Sequence, residues 1–105
     1  MRITLLMGEE EKTFSVPRVK GRILRTAVAL NKKLSKKDTL DEETVDDLVQ
    51  FVCEVFNNQF SIDDVLDGLP LEGFTFRLQE ILIEVISKAT SGIKIDENGA
   101  PYPKN

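Results

Sequence analysis

This sequence predicts a mainly α fold: a small bundle of three to four helices with a short N-terminal β-hairpin. Three observations carry the expectation. Apolar residues recur every three or four positions in three separate segments, the pattern of helices with one buried face. Two β-favouring runs flank a glycine near the amino terminus, as in a hairpin. Between them in importance stands the stretch Val45 to Leu69, VDDLVQFVCEVFNNQFSIDDVLDGL, which reads as a long helix, a polar break and a second short helix.

Taken in order, Ile3 to Leu6 and Thr13 to Val16 form the arms of a hairpin spanning about residues 2–16, with Gly8 to Glu11 as its turn. A two-stranded ribbon is marginal alone, so it must pack on the helices. Pro17 ends the second arm. The first helix is expected from about Gly21 to Lys36, where Ile23, Ala27, Leu30 and Leu34 make one stripe widened by Leu24. Arg22, Arg25, Lys32, Lys33 and Lys36 fall on its far side. For the second helix either Thr39 with Glu42 or Asp41 with Thr44 supplies the cap. Val45, Leu48, Val49, Val52, Val55 and Phe56 form its inward face, and Asn57-Asn58 stops it. Ser61 with Asp64 resembles a capping box for the short third helix, which ends where Gly68 can adopt a left-handed conformation. Pro70 suits a helix first turn, so the last helix is expected from about Leu71 to Thr90, with Phe74, Leu78, Ile81, Leu82, Val85, Ile86 and Ala89 in one stripe. Residues 1–91 then make one domain, and 92–105, which mix charge, Gly and Pro, make a flexible tail.

A chain of 105 residues can bury roughly two-thirds of its unfolded surface, enough for one core without disulfides or metal. A single cysteine forms no internal disulfide, which fits a reducing cytoplasm. The amino terminus lacks the pattern of a signal peptide, and no apolar run reaches the ~20 residues of a membrane span. The net charge of -4 conceals a sorting of sign: Arg18 to Lys37 contains eight Lys or Arg and no acid, while Asp38 to Phe76 contains eleven Asp or Glu and no base. Sorted blocks point to complementary surfaces, within one molecule or between copies.

Reactive chemistry has little to stand on. There is no histidine, which removes the commonest general base and metal ligand. Cys53 lies beside Val49 and Val52 and reads as a buried small hydrophobe. Asp63, Asp64 and Asp67 lack the alternating ligands and central glycine of a calcium loop, and capping accounts for them. No metal and no cofactor is expected. The basic first helix is followed by eleven acids, and no aromatic residue interleaves its cations, so nucleic acid is not an expected partner.

Some large apolar residues fall off the inward stripes. Phe76 and Ile83 are seven apart on the side of the last helix opposite Leu78 and Val85. Phe51 lies about a third of a turn from the centre of its stripe, either as a partner contact or as part of a second buried side. Exposed apolar residues grouped on one side mark partner surfaces. The expected partner-binding set is therefore Phe51, Phe76 and Ile83, with Arg22, Arg25, Lys32 and Lys36 on the basic helix and Glu43, Asp47 and Glu54 on the acidic one. The two charged groups would let the basic face of one copy meet the acidic helix of a neighbour.

The succession TFSVPRVKGRILRTAVALNKKL, then DDLVQFVCEVFNNQFSIDDVLDGL, then a closing amphipathic helix, resembles the tail assembly chaperones of long-tailed phages and prophages of Gram-positive bacteria. The resemblance covers roughly residues 10–90 and rests most on Val55, Phe56, Gln59, Phe60, Asp63, Asp64, Asp67, Gly68 and Leu69. One departure is Asn57-Asn58, where a glycine is expected in the turn; asparagine also tolerates positive φ. The resemblance implies a non-enzymatic protein of the host cytoplasm, outside the finished virion. It would bind the tape measure protein and keep it soluble while the tail tube assembles. It also implies a longer frameshifted form that recruits tail tube protein, and Pro103-Lys104-Asn105 is compatible with a slippery codon run. The alternative readings are a small tail or head-tail adaptor that stays in the virion, and a nucleic-acid regulator acting through the basic helix.

Overall fold

The computed structural model describes residues 1–36, 40–90, 93–95 and 101–103. The expected mainly α architecture is what the chain adopts: β1 (Arg2–Met7) and β2 (Glu10–Ser15), then α1 (Ile23–Ser35), α2 (Glu42–Val55), α3 (Ile62–Gly68) and α4 (Phe74–Ala89). Within the stretch expected to be a tail, β3 (Ile93–Ile95) pairs antiparallel with β4 (Pro101–Pro103). The rest of that stretch, including Lys104 and Asn105, lies outside the described residues.

The hairpin turn is tighter than the four residues expected. Met7 pairs with Glu10 and Leu6 with Glu11, so only Gly8 and Glu9 remain as the loop. Of these two, Gly8 alone has positive φ, at 70°. That is the sign pattern of a type II′ turn, whose twist matches the strands it joins. Alternation then places Ile3 and Leu5 in the core and turns Arg2, Thr4 and Leu6 outward.

α2 is the centre of the molecule and packs against each of the other three helices. Its start resolves the two capping options: the Asp41 carboxylate accepts a hydrogen bond from the Thr44 backbone N–H at 2.8 Å. Because it is covered on several sides, α2 buries Leu48, Val49, Phe51, Val52, Cys53 and Val55. Phe51 is 1% exposed, which corrects its expected place on a partner surface. Its stripe is wider than a single-faced helix needs because α1 and α4 both lie against α2.

α2 ends as its sequence foretells. Asn57 and Asn58 have φ of 58° and 56°. The Asn58 N–H donates to the Cys53 carbonyl at 2.8 Å and the Asn57 N–H to Glu54 at 3.0 Å, the two bonds of a Schellman motif. α3 then starts on a full capping box between Ser61 and Asp64. Gly68 departs from expectation. It is the last residue of α3 and is not left-handed; what it supplies is closeness, because an added Cβ would meet Leu5 Cβ at 2.9 Å and Leu6 N at 3.2 Å.

α4 begins three residues later than expected. Gly73, at φ 72°, turns the chain into the helix, and Pro70 stays in the preceding loop. Leu78, Ile81, Leu82 and Val85 are buried in the predicted stripe, whereas Ala89 is exposed. Each large side chain buried this way contributes about 1.5–3 kcal/mol relative to exposure.

Candidate functional site

The residues that carried the family likeness join the hairpin to the helices. Phe60 meets Phe14 of β2 edge-to-face at 4.9 Å and lies 5.6 Å from Phe56. The Gln59 side-chain amide donates to the Ser15 carbonyl at 2.9 Å. Across the molecule, the Arg77 guanidinium donates to the Arg2 carbonyl at 2.8 Å and to Glu80 at 2.9 Å, tying α4 to β1. This motif is architectural: it aims the hairpin and leaves two faces open.

The first open face runs along α4 beside β1. Phe76 is 68% exposed and Ile83 63%, both on the side away from the buried stripe. They line a broad groove of about 1330 Å³ with Thr4, Glu80 and Glu84. The second face was not anticipated. Leu40, Val45, Leu66, Leu69, Leu71 and Phe74 line a cleft of about 530 Å³ between the start of α2, the end of α3 and the loop before α4. Leu71 is 91% exposed there. The sequence signal existed, since Leu66 adjoins the inward Val65, but starting the last helix at Leu71 hid it.

The charged candidates separate into two groups. Arg22, Arg25, Lys32 and Lys36 are exposed on or beside α1, as expected. Glu43 and Asp47 are not free for a neighbour, because both bind Lys33 of the same chain, at 2.8 and 2.5 Å. These two hydrogen bonds, Asp47 first, hold the Lys33 ammonium well above its ordinary range. The pairing follows from α1 and α2 packing side by side, which brings the basic and acidic blocks together within one subunit. Glu54 is half-buried and shares a small cleft with Arg22 and Lys20 without an ion pair among the described residues.

Cys53 is buried, and burial, with Asp64 and Glu54 nearby, pushes its thiol up to about 11. A neutral buried thiol is a poor nucleophile. Among the described residues no three His, Cys, Asp or Glu side chains converge as a metal site. Nor is any described helix long and apolar enough to cross a membrane.

The described residues thus form a small helical bundle with two open, largely apolar grooves. The chain belongs to the phage tail chaperone family: the family model described as phage tail chaperone protein matches residues 1–102. Membership places it in phage tail assembly and implies a non-enzymatic role. No curated protein and no solved structure matches the chain significantly.

Proposed function

We propose that this protein binds the tape measure protein in the host cytoplasm and keeps it soluble while the tail tube is built, without entering the finished particle. The observation that carries the reading is the exposed Phe76 and Ile83 pair along the α4 groove. A holdase needs apolar area that its own core does not use, and this pair is such area. Covering what each side chain still exposes would contribute about 1–2 kcal/mol, so the two together support roughly thirty- to several-hundredfold in affinity.

Co-expression with a fragment of the tape measure protein tests this. The wild-type chain is expected to carry the fragment into the soluble fraction. Phe76→Ser with Ile83→Ser should lose most of that rescue while leaving the melting temperature within a few degrees. Rescue undiminished by the double substitution would remove α4 from the contact, and no rescue by wild type would end the reading. A longer form that recruits tail tube protein would extend this role, and the nucleotide sequence around Pro103-Lys104-Asn105 tests for it.

A further inference from the structure

We propose that the cleft formed by Leu40, Val45, Leu66, Leu69, Leu71 and Phe74 docks a basic amphipathic helix of another protein, one with an apolar ridge flanked by Lys or Arg. This surface adjoins the α4 groove and shares Leu69, Gly73 and Phe74 with it, but neither Phe76 nor Ile83, which carry the proposed client contact, lines it. Its lining is apolar apart from Thr75 and Gly73, and its volume of about 530 Å³ is in the range of preformed pockets that hold large side chains. Leu71 at 91% and Leu40 at 55% exposure offer area that the core leaves open.

Charge identifies the occupant. Glu42 opens α2 two residues after Leu40, Asp67 follows Leu66, and Glu72, which also lines the neighbouring α4 groove, follows Leu71; all three are exposed. None of them enters an ion pair among the described residues. No Lys or Arg occurs from Asp38 to Phe76, the stretch that supplies every lining residue, so the chain next to the cleft in sequence is acidic. The nearest cations of α4 begin at Arg77, which is held by Glu80 and the Arg2 carbonyl. A helix-in-groove contact takes apolar anchors at spacings of three and four, and a one-signed rim selects flanks of opposite sign. A second copy of this chain fits less well. Its basic helix, α1, has already buried Ile23, Ala27 and Leu30, and Val28 is the only large apolar side chain that α1 leaves exposed. One valine does not fill this cleft.

Three labelled 18-residue helical peptides test the proposal by fluorescence anisotropy at ~0.1 M salt. One carries a leucine ridge with Lys flanks, one the same ridge with Glu flanks, and one Lys flanks with the ridge changed to Ser. The first should bind at least tenfold more tightly than either of the others. Leu66→Ser with Leu71→Ser should weaken it at least tenfold, as should Glu42→Gln with Asp67→Asn and Glu72→Gln. Phe76→Ser with Ile83→Ser should leave it unchanged. If the Leu66 and Leu71 double variant melts early, Leu71→Ser alone, in the loop before α4, carries the comparison. Equal binding of the Lys- and Glu-flanked peptides overturns the proposal, as does indifference to the cleft substitutions. So does sedimentation showing a wild-type dimer that Leu71→Ser dissolves while no peptide binds, which would make the occupant a second copy.

Discussion

A methyl group at position 68 would stand 2.9 Å from Leu5 Cβ and 3.2 Å from both N and O of Leu6. Two of those three atoms are backbone, so relief requires α3 to move off β1. Alanine is favoured over glycine inside a helix by about 1 kcal/mol, whereas forcing a methyl into a tight contact costs about 1–3 kcal/mol. Gly68→Ala should therefore be destabilising in urea unfolding, and a stabilised variant would show that the contact is looser than it looks. Cys53 gives a second test, through pH. An unfolded thiol titrates near 8.5, and in the fold burial holds it up to about 11. The unfolded chain loses that proton first, so this group's contribution is full below about pH 8.5 and is lost as pH rises toward 11. Lys33 does not confuse the lower part of the window, because its raised ammonium begins to lose its contribution only above the unfolded lysine value of about 10.4. Between pH 8.5 and 10 the melting temperature of wild type should fall faster than that of Cys53→Ala. Parallel curves would mean that the thiol is hydrated in the fold.

At the scale of elements, the breaks were more legible than the boundaries. Asn57-Asn58 and Ser61-Asp64 were readable because capping chemistry is local: a few residues satisfy the orphan backbone groups of a helix end. Asn57→Gly should preserve stability within a few tenths of a kcal/mol, whereas Asn57→Ala should cost about 1 kcal/mol, because an alanine pays for the left-handed conformation that the Schellman bond requires. Equal melting temperatures for the two variants would remove that requirement. The start of α4 was misread because Pro70 suits a first turn as well as a loop, and only Gly73 at φ 72° decides between them. For Phe51 the pattern leaves two places open, a partner contact or a second buried side, and the packing decides for the second. Whether a helix buries one side or several depends on how many neighbours it has, and that is a property of the packed bundle. The same misplaced helix start concealed Leu71, and with it the second cleft of the candidate site, while Phe76 and Ile83 were visible from their seven-residue spacing alone.

Across the whole molecule, the sorted charges do two different jobs. Part of the sorting is used internally, where Lys33 clasps Glu43 and Asp47 and fastens α1 to α2. The remainder faces outward: Arg22, Arg25, Lys32 and Lys36 on one block, and on the other Glu42 and Asp67, which neighbour cleft residues in sequence. The α4 groove differs in kind, because Arg2, Arg77 and Lys88 share its lining with Glu72, Glu80 and Glu84 and the signs cancel. Salt should therefore separate the two faces. The screening length shrinks from about 10 Å at 0.1 M to about 3 Å at 1 M, which weakens attraction between exposed charges and leaves apolar burial intact. Association with a tape measure fragment through Phe76 and Ile83 should change by less than about threefold over that range, whereas binding of a Lys-flanked helical peptide to the acidic cleft should fall at least tenfold. Titrations of each at both salt concentrations make the comparison. A tape measure complex that dissolves at 1 M would shift the client contact from the apolar ridge to the charged rims, and α4 would then be the wrong helix to mutate.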